Sequence, residues 1–150
     1  IAKKIAAGAQ FIQTQYCYDV PLLKQFMEKV RENRLHEKAF FLIGVGPLPS
    51  AKTGRWMKNN VPGVHIPEPV LERIEKAKDQ KAEGKQLCID LIQEIREIEG
   101  VAGIHVMAYR QEEFVNEIIH ASGVMKNRKP RREARSAEPV AASEERIPVS

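Results

Sequence analysis

Cysteine is scarce in this sequence, with two in 150 residues. Cys17 and Cys88 have no CxxC spacing, so no disulfide framework or thiolate metal knuckle is written there, and a reduced, cytoplasmic setting is expected. No apolar run approaches the roughly 18 residues of a membrane span, so no membrane partner is expected. The first residues lack the charged-then-apolar pattern of a secretory leader. There is no Gly-rich phosphate loop, because Gly44-Val45-Gly46 runs into Pro47 instead of opening a helix. No His, Cys, Asp or Glu pair has metal-ligand spacing, so no metal is expected. No nucleophile–base pair stands out.

What is present is ordinary globular composition, 43% hydrophobic and 29% charged, over a length suited to about one domain. The net charge of +4 is unevenly spread. Residues 125–150 hold seven basic and four acidic side chains, a net +3, which leaves +1 for residues 1–124. The chain opens with Ile in a helix-like pattern, so it reads as a piece of a longer polypeptide.

The stretch Phe11-Ile12-Gln13-Thr14-Gln15-Tyr16 reads as a strand. Residues 1–7 read as the end of a helix, stopped by Gly8. Buried parallel strands favour Val, Ile and Leu, so Gln13, Thr14 and Gln15 are out of place unless they serve a site. Alternation puts Gln13 and Gln15 on one face and Thr14 and Tyr16 on the other. A polar amide late in a parallel strand stands where α/β folds hold ligands, which makes Gln15 the leading candidate. Its amide both donates and accepts without bringing a charge.

A helix follows from Asp19, a good N-cap, with Pro21 in its first turn and an apolar stripe of Leu22, Leu23, Phe26, Met27 and Val30. Residues 39–45 read as a second, fully buried strand, leading into the rigid loop Gly46-Pro47-Leu48-Pro49-Ser50 on the ligand side. Ser50 caps a short helix over residues 52–59, where Trp56 and Met57 read as packing residues. Helices follow over residues 68–79 and then to residue 99, the second striped by Leu87, Cys88, Leu91, Ile92, Ile95 and Ile98. Residues 103–109 read as a third strand, with His105 as a structural residue, and residues 111–121 as a closing helix with Gly123 at its end. Residues 125–150 read as a disordered basic tail.

The fold class is therefore α/β. Three parallel strands need both faces covered and both edges paired. The economical reading is a partial TIM (β/α)8 barrel, its last three β/α units, over residues 1–124. A narrow three-stranded doubly wound sheet is the alternative.

Taken together, Gly8-Ala9-Gln10-Phe11-Ile12-Gln13-Thr14-Gln15-Tyr16-Cys17-Tyr18-Asp19, Ile43-Gly44-Val45-Gly46-Pro47-Leu48-Pro49 and Gly103-Ile104-His105-Val106-Met107-Ala108-Tyr109-Arg110-Gln111 resemble the methylenetetrahydrofolate reductases in order and spacing. The resemblance implies strands six to eight of a flavin barrel. It implies that NADH or NADPH passes a hydride to FAD, and FAD passes it to methylenetetrahydrofolate. The family's strand-six glutamine, which contacts folate and nicotinamide in turn, falls on Gln15. Its FAD-contacting basic pair falls on Lys3 and Lys4. Its glutamine and phenylalanine after strand seven fall on Thr53 and Met57, neither identical. Its Asn-Arg after strand eight meets Arg110-Gln111, with the arginine displaced by one, so either residue could face the substrate. The family's catalytic acid lies on strand one, so no catalytic residue is expected in this chain, and the chain alone is expected to be inactive. The full-length protein is expected to be a homo-oligomer.

Two other classes compete. One is a flavin-free, folate-binding barrel of the methyltransferase type. The other is a partner-binding module acting through Lys126, Arg128, Lys129, Arg131, Arg132 and Arg135 on nucleic acid or an acidic protein. The tail has no interleaved aromatics and carries Glu133, Glu144 and Glu145, which favours a solvated tail over nucleic-acid binding.

Overall fold

The computed structural model describes residues 1–126. The expected disordered tail, apart from its first two residues, lies outside the described residues. The elements are α1 (Ala2–Ala6), β1 (Phe11–Tyr16), α2 (Val20–Glu32), β2 (Phe40–Val45), α3 (Ala51–Asn60), α4 (Glu68–Glu75), α5 (Gln80–Ile95), β3 (Val101–Val106) and α6 (Val115–Ala121). Local chemistry sets many of their ends. Gly8 turns the chain out of α1 with φ +103°. The Asp19 side chain accepts from Leu22 N at the start of α2, and Ser50 Oγ accepts from Thr53 N at the start of α3. Asp79 caps α5 by accepting from Ala82 N. Each such cap contributes about 1 kcal/mol.

The sheet order is β1-β2-β3, parallel throughout. Parallel neighbours joined by right-handed crossovers put the connecting helices on one face of the sheet. On that face Phe41, Ile43 and Val45 are fully buried, together with Ile92 and Ile95 of α5 and Met27 of α2. Burial of each such side chain stabilises by about 1.5–3 kcal/mol. The opposite face is left open, with Phe11 57% and its register partner Phe40 61% exposed. Consecutive strand order with one bare face is what a segment of a closed barrel would present.

Two expectations need correction. The third strand spans Val101–Val106, two residues earlier than its sequence pattern suggests. Gly100, at φ +92°, makes the turn, and Val101 then pairs with Phe41. The closing helix begins at Val115, not at 111, after a 3-10 turn over Glu112–Phe114. Arg110, at φ +58°, reverses the chain first. β1 keeps the expected alternation, with Gln13 and Gln15 exposed and Thr14 and Tyr16 half-buried, but its pairing is bulged: Gln13 pairs with Leu42 and Tyr16 with Gly44, so Thr14 and Gln15 together face one residue, Ile43.

Candidate functional site

The bulge decides what Gln15 can do. A bulge leaves ladder groups unpaired, and here side chains satisfy them. Gly44 N–H donates to Thr14 Oγ1 at 2.9 Å, and Tyr16 N–H donates to Gln15 Oε1 at 3.0 Å. Cys17 N–H then resumes the ladder by donating to Gly44 O at 2.8 Å. The acceptor end of the Gln15 amide is thus occupied within its own strand. Its side chain is exposed, so the Nε2 donor is the end left for a ligand.

Beyond the bulge the Tyr16 ring reaches across β2. Its Oη donates to Met107 O at 3.3 Å, and its ring stacks on Tyr18 with centroids 5.9 Å apart. Tyr18 Oη donates to Gly46 O at 3.0 Å. Gly46 makes this crossing feasible: a Cβ there would fall on Met107 O and lie 2.6 Å from Tyr16 Cε1. Burial pushes the Tyr18 hydroxyl well above its ordinary pKa and raises that of Tyr16, so both remain neutral donors. Burial also pushes the Cys17 thiol up to about 11, which keeps it protonated and poorly nucleophilic at neutral pH.

The tyrosine pair borders two cavities. The first, about 300 Å³, takes Gln15 with Leu22 and Phe26 of α2 and Gly63 and His65 of the loop before α4. The second, about 550 Å³, lies at the carboxyl ends of the strands. It brings together Thr53 and Met57 of α3, Pro47 after β2, and Arg110 and Gln111 after β3. The sequence candidates therefore divide. Thr53, Arg110 and Gln111 share one cavity, Gln15 lines the other, and Tyr16 and Tyr18 line both. Lys3 and Lys4 stand exposed in the last turn of α1, before the amino end of β1. Six strand residues span roughly 20 Å, so the lysines are at the far end of β1 from both cavities.

Gln111 is 4% exposed. Its Nε2 donates to Pro47 O at 3.1 Å, and a carbonyl can only accept, so the orientation of the amide is fixed. Gln111 Oε1 is then buried with no partner. His36 Nδ1 is also buried without one, but His36 lies in the turn before β2, at the opposite end of the sheet.

A family model described as methylenetetrahydrofolate reductase matches residues 1–123. The chain belongs to the methylenetetrahydrofolate reductase family. A search among curated proteins found no matching relative. Membership makes this a reductase-type enzyme family of folate and one-carbon metabolism. The methylenetetrahydrofolate reductase pattern read from the sequence gains a geometric frame, because its positions after β2 and β3 converge on one cavity. No helix among the described residues is long and apolar enough to cross a membrane. Among them, no group of three or more His, Cys, Asp or Glu could hold a metal ion.

Sequence reasoning missed Trp56. It reads as a packing residue, yet it is 60% exposed and lines the second cavity. The signal was there: the buried positions of α3 are Ala51 and Gly54, and a stripe continued by three or four residues passes Trp56 by.

Proposed function

We propose that residues 1–124 supply the last three units of a partial TIM (β/α)8 barrel, and that the completed barrel is a cytoplasmic, homo-oligomeric flavoenzyme. It reduces 5,10-methylenetetrahydrofolate to 5-methyltetrahydrofolate with NADH or NADPH through FAD, in one-carbon and methionine metabolism. The observation that carries this reading is the family match over residues 1–123. The open sheet face supports the barrel, as do the outer edges of β1 and β3, which pair with no further strand among the described residues, since a parallel sheet is stable only when covered.

The residues present fit FAD and folate by their chemistry. Lys3 and Lys4 are exposed cations suited to phosphate. Gln15 Nε2 is an uncharged donor, and Gln111 Oε1 is an acceptor without a partner. Bound FAD supplies the hydride relay between nicotinamide and folate. Gln15 Nε2 donates to the ring edge of whichever substrate is present, and being neutral it does not oppose hydride movement. Thr53, Arg110 and Gln111 contact the folate. The stacked tyrosines keep their hydroxyls bound to backbone carbonyls and hold the wall between the cavities. Lys3 and Lys4, at the amino end of β1, would neutralise FAD phosphate charge only where the bound cofactor extends away from both cavities. The chain alone contains too little of the barrel to hold FAD tightly, and FAD absorbance co-purifying with it would overturn that part.

The direct test is the absorption spectrum of the purified barrel protein under anaerobic conditions. Flavin bleaching by NADH or NADPH, reversed by methylenetetrahydrofolate, is the expected result. A colourless protein that binds folate would replace this reading with the flavin-free methyltransferase-type barrel.

A further inference from the structure

The hydroxyl of Thr14 makes two backbone bonds at the β1 bulge. It accepts from Gly44 N–H at 2.9 Å and donates to Gln15 O at 2.9 Å. One hydroxyl can do both at once. Gly44 is gripped on its other side as well, because its carbonyl accepts from Cys17 N–H at 2.8 Å. Close approach is built into this residue: a Cβ on Gly44 would lie 2.7 Å from Thr14 O and 2.8 Å from Gln15 O. Both carbonyls of the bulge therefore crowd the glycine, while its N–H goes to the Thr14 hydroxyl. A threonine in a strand ordinarily serves through its β-branched shape. Here its hydroxyl stands in for a backbone group of the ladder, which valine could not do.

Gln15 O and Tyr16 N–H belong to one planar peptide unit. Thr14 Oγ1 holds the oxygen of that plane, and Gln15 Oε1 takes its N–H at 3.0 Å. The orientation of the plane thus sets which end of the Gln15 amide is bound and which is free. We propose that Thr14 is a positioning residue for Gln15: its hydroxyl, seated against Gly44, fixes the Gln15–Tyr16 peptide plane and so keeps the Gln15 amide with Nε2 outward. Without that hydroxyl, Gly44 N–H turns to one of the two crowding carbonyls, the plane rotates, and the exposed amide presents its oxygen as readily as its nitrogen. A donor held in place before the ligand arrives outperforms one that must first be oriented. Thr14 itself touches no ligand. It matters to the reaction only through Gln15, so its role rests on the reading above, which it deepens.

Thr14→Val keeps the shape and removes both bonds, and Thr14→Ser keeps the hydroxyl. In the ligand-free barrel protein, nitrogen relaxation of the Gln15 side-chain amide reads the lock directly. The amide should be ordered in the native protein and in Thr14→Ser, and mobile on the ps–ns timescale in Thr14→Val. The backbone amide of Met107, which donates to Val45 O at 2.7 Å in the neighbouring ladder, should be unchanged in all three. An equally ordered Gln15 amide in Thr14→Val overturns the lock, and so does mobility that spreads to Met107. Half-reaction kinetics read the consequence. Thr14→Val should slow flavin reoxidation by methylenetetrahydrofolate roughly tenfold, and Thr14→Ser should stay within about threefold of native. Added to Gln15→Ala, Thr14→Val should change the rate less than about twofold, because residues acting as one unit do not add. An equal loss from Thr14→Val with and without Gln15 overturns the positioning role. Native rates in Gln15→Ala, with the native amide ordered and the Thr14→Val amide mobile, overturn the reading of Gln15 and leave the lock standing.

Discussion

Two glutamines at the carboxyl side of the sheet use their amides in opposite ways. Gln15 is exposed in the bulge of β1, and its Oε1 accepts from Tyr16 N–H. Gln111 is buried after β3, and its Nε2 donates to Pro47 O. One residue type thus leaves a donor free on one side of the Tyr16–Tyr18 pair and an acceptor free on the other. The lesson is that the backbone around an amide decides which half of it is available for recognition. A bulge with a spare N–H takes the oxygen, and a loop with a spare carbonyl takes the nitrogen.

The comparison breaks most visibly through charge. Gln111→Glu sets a carboxylate against Pro47 O in a buried position, and it should destabilise the chain by about 3 kcal/mol at neutral pH. A protonated carboxyl can donate to Pro47 O, so the folded state raises the pKa of this group. Its stability is then present below the unfolded carboxylate range and is lost as pH rises through the raised value. Urea midpoints measured from pH 4 to 8 should fall for the variant relative to the native chain; a constant difference contradicts the assigned amide orientation.

Gly46→Ala tests the wall that separates the two glutamines. The added Cβ meets Met107 O and the Tyr16 ring, and displacing them should cost about 1–3 kcal/mol. Denaturant unfolding checks it, and a neutral result would show that the tyrosine crossing is not fixed.

Alkaline pH sharpens the comparison, because neither amide titrates and any loss must come from neighbours. Cys88 is pushed up to about 12 and Cys17 to about 11, both chiefly by burial. Raised thiol pKa values give stability that is complete below the unfolded value near 9 and falls as pH rises toward the folded ones. By pH 10.5 the contribution lost through Cys88 should reach about 2 kcal/mol. Cys88→Ala should flatten the alkaline limb of the urea midpoint against pH, whereas an unflattened limb would assign it elsewhere.

The smallest effect on stability belongs to Gln15→Glu. Carboxylate oxygen still accepts from Tyr16 N–H, so the bulge keeps its partner while the Nε2 donor disappears. Stability should change by no more than about 0.5 kcal/mol. That makes this substitution a clean probe of the free donor.

Much of the fold was legible because local chemistry dictated it. Asp19 and Ser50 cap where their sequence context says, and the α2 and α5 stripes bury Leu23, Met27, Val30, Leu87, Cys88, Leu91, Ile92 and Ile95. Gln15 was legible as a polar intruder in a strand. The bulge was not, since it depends on pairing with β2, which lies 24 residues further along at Phe40. The early start of β3 likewise comes from its register with Phe41 and not from its own pattern. Gln111 was legible as a candidate only by resemblance. Its burial depends on Pro47, 64 residues away in sequence. Trp56 was set aside because tryptophan usually packs, although its place on α3 put it off the buried stripe.

The most direct test separates the two half-reactions of the barrel protein carrying Gln15→Glu. Anaerobic stopped-flow would follow flavin reduction by NADH or NADPH and then reoxidation by methylenetetrahydrofolate. Loss of one charge-neutral donor hydrogen bond, with a carboxylate in its place, should slow the folate step at least about tenfold and the nicotinamide step less. Native rates in both steps, in a variant that still folds, would contradict the claim that Gln15 offers its free Nε2 to the substrates.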